Sequence, residues 1–277
     1  MRAGLIQMTS SDVVSDNIEQ VCALCNEAVT HGAQILLTPE VTNCLSGSRA
    51  QQMDQLTMQD DDPTLAAMQD LAAKFGVWIL IGSLALKTDD EDERFANRSF
   101  LINSTGGISA WYDKIHMFDV EVSKTETYRE SRGYKPGARA VVVNTPFGNI
   151  GMTICYDLRF PHLYRDLALA GADILTVPSA FSQATGPGHW ETLLRARAIE
   201  TGSFVLAPAQ TGTHPTQTDR VRKTFGHSLA IDPWGTVLAD GGTAKGVTVV
   251  DLDLTKVQET RKKLPSLSSA QAYCLAT

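Results

Sequence analysis

The stretch FGNIGMTICYDLRFP, residues 147–161, decides how the chain is read. A Phe-Gly turn opens it, and residues 149–154 then form a short, largely apolar run of the kind that fills a buried strand. The run stops on Cys155. Tyr156, Asp157 and Arg159 follow at once, and Pro161 opens a helical pattern. A cysteine therefore sits where a core strand breaks into a helix, with its side chain at the sheet edge and backbone N–H groups turned toward whatever the sulfur attacks. Taken on this strand alone, a buried packing cysteine is the commoner role. The rest of the chain has to separate the two.

Bulk properties narrow the class. The chain has 277 residues, 43% hydrophobic and 20% charged, which is the composition of an ordinary globular protein with a sizeable core. A net charge of −7 argues against a nucleic-acid partner. No apolar run approaches about 18 residues, so no membrane span is expected. The opening MRAGLIQMTSSD reads as a first strand rather than a signal peptide. Five cysteines, an odd number in a chain of this size, do not make a disulfide framework and imply a reducing, cytoplasmic setting. Cys22 and Cys25 lie mid-helix, where a redox pair would gain no acidity from the dipole, and read as packing residues.

Outward from the cysteine, the pattern mixes hairpins with helical crossovers. Strands are expected at residues 3–8, 34–38 and 77–86. Asp16 is expected to cap a helix running to about His31. Asp62 is expected to cap another, with Pro63 at its first position and Gly76 as its stop. Hairpins are expected over residues 97–114, 140–154 and 227–239, with a strand at 247–252 and a terminal helix capped by Asp253 and ended by Pro265. Residues 115–139 show no periodicity and read as an ordered functional loop, and residues 208–224 as a polar loop. A helix is expected over residues 189–201, after the glycines at 186 and 188. Most strands are apolar on both faces, and no composition break marks a linker. That fits one domain over residues 1–277, with sheets packed on each other and helices outside.

Three ionisable residues end apolar strands: Glu40 after ILLTP, Lys114 after ISAWYD, and Cys155 after NIGMTI. They are a base, a cation and a nucleophile. A thiol must lose its proton to attack; a carboxylate can take it, and a lysine can hold the oxyanion that forms. Burial is expected to raise the Glu40 pKa toward a useful value. The competing reading for Glu40 and Lys114 is a plain internal salt bridge. Among six histidines only His116, beside Lys114, has a comparable place, and no His pair at metal spacing appears.

The Pro39-Glu40 pair, YDKIHMFDVEV at residues 112–122 and CYDLRFPHLYRDLALAGADIL at residues 155–175 together resemble the nitrilase, or carbon–nitrogen hydrolase, superfamily over nearly the whole chain. That resemblance implies a four-layer αββα sandwich, a homodimer or larger assembly, and a site without metal or organic cofactor. It implies Cys155 as nucleophile, Glu40 as general base, and Lys114 as stabiliser of the tetrahedral intermediate. The Tyr156 backbone N–H would complete the oxyanion hole, and Glu130 would stand beside the nucleophile as a second glutamate. The segments at residues 178–201 and 225–240 are most similar to the branch that takes α-keto acid amides, deaminated glutathione and 2-oxoglutaramate among them. The reaction implied is hydrolysis of a linear terminal carboxamide to acid and ammonia through a cysteine thioester, with water and a small amide as partners and no nucleic acid or membrane. ω-Amidase, N-carbamoyl amidohydrolase, nitrilase and a catalytically silent binding protein remain as alternatives. Arg159, Arg220 and Arg222 are candidate cations for substrate carboxylates, with His116 and Phe181 as further substrate contacts. Arg195, Arg197 and Glu200 read as helix-face pairing.

Overall fold

A computed structural model describes residues 1–122, 127–218 and 221–276. Two six-stranded sheets form the body. The first takes β1 (Arg2–Gln7), β2 (Ile35–Leu37), β3 (Trp78–Leu86), β4 (Ala96–Ile102) and β5 (Ile108–Asp113). A small hairpin follows, β6 (Asp119–Glu121) with β7 (Thr127–Arg129). The second sheet takes β8 (Val141–Thr145), β9 (Gly148–Met152), β10 (Ile174–Thr176) and β11 (Phe204–Ala207). After the short pair β12 (Thr211–Thr213) and β13 (Lys223–Phe225), β14 (Leu229–Ile231) and β15 (Val237–Asp240) complete it. β16 (Gly246–Asp251) returns to pair antiparallel with β1. The strand orders are β16-β1-β2-β3-β4-β5 and β15-β14-β11-β10-β9-β8.

The alternation along each strand explains why there are four layers. In the first sheet, Ala3, Leu5, Ile35, Leu37, Leu80 and Leu101 face the second sheet and share one core with Ile150, Ile174 and Val205. Their neighbours Ile6, Leu36, Ile79, Ile81, Phe100 and Ile102 face outward. They meet the apolar stripes of α1 (Val14–Thr30) and α3 (Pro63–Phe75), which carry Val21, Cys25 and Ala28, and Leu65, Met68 and Leu71. The short α2 (Arg49–Gln55) lies between them in sequence. On the far side α4 (Pro161–Leu169) and α5 (Gly186–Thr201) cover the second sheet with Leu163, Leu167, Trp190, Leu194 and Ala198. α6 (Thr255–Lys263) closes the described chain's helices. The expected αββα sandwich is the observed architecture. Among the described residues no helix is long and apolar enough to cross a membrane.

Several local expectations need correction. α1 starts at Val14 behind Val13, so Asp16 sits inside its first turn and caps nothing. α5 starts at Gly186, because Pro187 favours the first turn and carries the helix back past the glycines. Leu254, not Asp253, precedes α6, although Asp253 accepts the Thr255 N–H at 3.1 Å. α2 is unforeseen. Ser48 caps it through the Gln51 N–H, a signal lost in the polar run SGSRAQQ. Residues 115–139 hold β6, β7 and a 3-10 turn at Glu130–Arg132, and residues 208–224 hold β12 and part of β13. Asp62, Pro63 and Gly76 act as expected, and Gly76 adopts φ 66°.

β3 carries an irregularity between Ile81 and Leu84 that shapes the bend after β2. Gly82 donates to Thr38 Oγ1 at 3.0 Å, Ser83 accepts the Val41 N–H at 2.7 Å, and Thr42 donates to the Ser83 carbonyl at 2.9 Å. A Cβ on Gly82 would meet the Thr38 carbonyl at 2.0 Å and the Pro39 carbonyl at 2.5 Å, both backbone. Gly82→Ala is therefore expected to destabilise the fold by about 3 kcal/mol or more, read as a lowered denaturant midpoint. An unchanged midpoint would show that the bend is not packed against β3 in this way.

Candidate active site

β2, β5 and β9 all deliver their C-terminal ends to one cavity. Glu40 follows β2, Lys114 follows β5, and Cys155 follows β9. Two of these places depend on unusual backbone. Val41, next to Glu40, has φ 49°, and Cys155 itself has φ 47°. Left-handed conformation is rare for a β-branched or non-glycine residue and concentrates at functional positions. At Cys155 it is held by contacts. The Cys155 N–H donates to the Pro178 carbonyl at 3.0 Å, and Asp157, fully buried, gathers the turn around its carboxylate. Asp157 accepts from the Ile154 N–H at 2.9 Å, the Tyr112 hydroxyl at 2.7 Å and the His116 N–H at 3.0 Å. Residues Cys155–Arg159 form a 3-10 turn, whose first N–H groups have no partner within the turn. Among the described residues no hydrogen bond takes the Tyr156 N–H.

The charged centre is dense. Lys114 is 2% exposed. Its ammonium donates to Glu40 Oε1 at 2.8 Å and to both Glu130 oxygens at 2.9 Å. Glu40 Oε2 accepts the Ala180 N–H at 2.8 Å, and Glu130 Oε2 accepts the Phe118 N–H at 2.6 Å. Asn97 donates from Nδ2 to Glu40 Oε1 at 3.0 Å and to Glu130 Oε1 at 3.3 Å. Burial alone would push the Glu40 carboxyl up, as expected from sequence. The Lys114 charge and hydrogen bond, with a smaller contribution from Cys155, outweigh it and hold the carboxyl below its ordinary value. That expectation is reversed because a buried cation stands in contact. Burial pushes the Cys155 thiol up, and the nearby Glu40 charge adds to this, while Lys114 works in the opposite direction. Burial would lower Lys114, but Glu130 and Glu40 hold it well above the ordinary lysine value. The resting pair is a thiol and a carboxylate.

The cavity in front of Cys155 has a volume of about 770 Å³ and is open at one side. Tyr156, Phe118 and Tyr128 make an aromatic wall, with ring centroids 5.0 Å and 4.9 Å from Phe118. Phe181 and Arg159 also line it, with the guanidinium 5.6 Å from the Phe181 ring and 5.9 Å from the Tyr156 ring. Arg159 also contacts His189 Nδ1 at 3.1 Å. Arg222 reaches the cavity and donates to the Ala180 carbonyl at 3.1 Å. Arg220 lies outside the described residues. His116 is not among the cavity-lining residues. Its ring sits on Phe160 at a centroid distance of 3.5 Å and its Nδ1 is 2.7 Å from Asp157, so it supports the turn from behind. Arg197 does pair with Glu200 at 2.7 Å, and also donates to the Leu158 carbonyl at 3.0 Å, tying α5 to the cysteine turn.

Residues 2–262 match the model of the carbon–nitrogen hydrolase family. The chain belongs to that family. A deaminated glutathione amidase of Synechocystis is 39% identical to it over 267 residues, covering 96% of each chain. The crystal structure of the Caenorhabditis elegans NitFhit protein matches with a TM-score of 0.90 and 34% identity over 98% of this chain, which spans 65% of that longer one. An amidase from Nesterenkonia sp. AN1 matches with a TM-score of 0.76 and 25% identity, covering 96% of this chain and 98% of that one. Its glutamate-to-glutamine variant carries acrylamide joined by Michael addition at the active site cysteine.

Asn97, Asp157 and the Ala180 N–H were not foreseen as parts of the site. Asn97 stands in FANRSFLI with Arg98 and Ser99 directly after it, so nothing in the run sets it apart from its polar neighbours. Asp157→Ala is expected to leave three donors and the His116 ring nitrogen without their partner and to lower stability by about 3 kcal/mol, with Cys155 alkylation altered in parallel. Native stability and native alkylation together would show that the turn does not depend on this carboxylate.

Proposed function

We propose that the chain is an amidohydrolase that cleaves deaminated glutathione, with Cys155 as nucleophile, Glu40 as base and acid, and Lys114 and the Tyr156 N–H as oxyanion donors. The observation that carries the reading is one buried contact set, in which Lys114 bridges Glu40 and Glu130 beside Cys155. The relative named for that substrate supports the specific choice, and the Nesterenkonia amidase supports the cysteine.

The steps follow from the resting charges. Because the thiol is held protonated and the carboxylate ionised, proton transfer to Glu40 accompanies attack rather than preceding it. The Cys155 Sγ–carbon bond forms as the carbonyl π pair moves onto oxygen. Lys114 and the Tyr156 N–H hold that oxyanion. Collapse breaks the C–N bond, and the leaving nitrogen takes the proton from Glu40. Water then gives a proton to Glu40 and attacks the thioester. The C–S bond breaks, its electron pair goes to sulfur, and Glu40 returns the proton to it, restoring the thiol and the carboxylate. Deaminated glutathione has its amide between the former glutamyl side chain and cysteinylglycine. The leaving group is then a dipeptide amine, and ammonia is released only from simple carboxamides such as 2-oxoglutaramate.

That substrate carries a carboxylate at each end. The positive charges of Arg159 and Arg222 on the cavity wall suit those ends, and the volume lies within the range of small-molecule sites. Glu130, fixed by Lys114 and Phe118, keeps the ammonium aligned. The working unit is a homodimer in a reducing, cytoplasmic compartment, a reading supported by five free cysteines and by the exposed apolar side chains of Ile199 and Trp234.

Cys155→Ala is expected to lower hydrolysis by at least about 10⁴-fold, measured as cysteinylglycine release. Unchanged release would sink the catalytic reading, and faster cleavage of 2-oxoglutaramate, a carbamoyl amino acid or a nitrile than of deaminated glutathione would overturn the substrate. The pH profile has a definite sign. Glu40 is held below its ordinary value of 4.5, so the ionised base persists down to that range and the rate falls only as pH drops through the lowered value. A half-loss near pH 6 would contradict this.

A further inference from the structure

Asn97 is 2% exposed and sits on β4, between the two strand ends that carry Glu40 and Lys114. Its backbone carbonyl accepts the Lys114 N–H at 3.0 Å. Its side-chain nitrogen serves two carboxylates at once, at 3.0 Å from Glu40 Oε1 and 3.3 Å from Glu130 Oε1. Its side-chain oxygen is buried with no hydrogen-bond partner among the described residues.

This division of labour is informative. A buried carbonyl oxygen without a donor is unfavourable, and a protein would avoid it if an apolar side chain of the same shape served equally well. The amide cannot be reversed to satisfy it. Reversal would place Oδ1 at those same two distances from carboxylate oxygens, acceptor against acceptor. The orphaned oxygen is the consequence of needing two N–H donors on the other side. An aspartate would fit the space and supply none.

The need for donors follows from the charge count. Two carboxylates converge on one ammonium, since Glu40 Oε1 and Glu130 Oε1 are 2.8 Å and 2.9 Å from Lys114 Nζ. Two ionised carboxylates sharing a buried site raise each other's affinity for a proton. Lys114 offsets one charge, which leaves the trio net negative. Arg222 and the Tyr134 and Cys155 groups complete the titratable surroundings of Glu40. Of these, Tyr134 and Cys155 bring no positive charge, and Arg222 acts through space. A neutral donor touching both carboxylates relieves their repulsion without drawing the ammonium away from the position from which it serves an oxyanion.

We propose that Asn97 is a positioning residue of this site, whose amide N–H groups hold the Glu40 and Glu130 side chains together so that Glu40 can take the Cys155 proton. It lines the cavity beside Glu40 and Lys114, and the role proposed for it runs through Glu40. The proposal rests on the assignment of Glu40 as base and goes beyond it by naming what keeps that base ionised.

The test reads the pH dependence of Cys155 alkylation by iodoacetamide, which needs no substrate, alongside cysteinylglycine release from deaminated glutathione. Asn97→Leu removes the donors and the orphaned oxygen together. A merely structural role for the asparagine would lower the melting temperature and leave both pH profiles in place. The acid limb of both profiles is expected to move up by about one pH unit, because loss of a hydrogen bond to a charged acceptor favours protonation. Asn97→Asp, which keeps the shape and adds an acid, is expected to shift it at least as far and serves if the leucine variant folds poorly. Unshifted acid limbs in both variants would overturn the proposal. If alkylation shifts as expected while even the parent protein leaves deaminated glutathione intact, the positioning role stands and the substrate assignment falls.

Discussion

One buried ammonium organises the centre of this protein. Lys114 has almost no contact with solvent and holds two glutamates within 2.9 Å. Such an arrangement is tolerable only when each charge has its partner and the remaining hydrogen-bond positions are filled. The molecule meets that condition with groups from distant parts of the chain. The Ala180 N–H takes the one carboxylate oxygen that Lys114 leaves free, and the Phe118 N–H and the Asn97 amide donate to oxygens it already holds. Removing one partner would strand the others, so the site is a single electrostatic unit.

The fold exists to bring those groups together without exposing them. Two sheets of alternating apolar residues make a dry interior, and the strand ends that emerge from it carry the charges. β2 and β5 belong to one sheet and β9 to the other. The trio therefore forms only when the two sheets are packed. Ala180, after β10, adds a backbone donor from the second sheet to the glutamate of the first. Packing energy and site geometry are coupled through that contact.

Much of this was legible in the sequence. Glu40, Lys114 and Cys155 each end an apolar run, and three different reactive types in equivalent places are hard to explain as chance polar termini. The helix from Pro63 to Phe75 could be read at both ends, because Asp62, Pro63 and Gly76 act locally. What could not be read depends on contacts distant along the chain. The direction of the Glu40 shift needs the knowledge that a cation touches it; burial alone gives the opposite sign. His116 stands beside Lys114 in sequence, yet its ring turns away to Asp157, 41 residues on. Asn97 only opens an expected hairpin in the sequence, and its part in the site rests on its two carboxylate neighbours.

The central claim is covalent catalysis by Cys155 with Glu40 as its proton acceptor. Single-turnover mixing with deaminated glutathione, acid quench and mass analysis of the digested protein tests it most directly. A 2-oxoglutaryl group on the peptide containing Cys155, formed no later than free cysteinylglycine and decaying as 2-oxoglutarate appears, is the expected result. Turnover with no acyl group on Cys155 at any time, or with the group on another side chain, would contradict it.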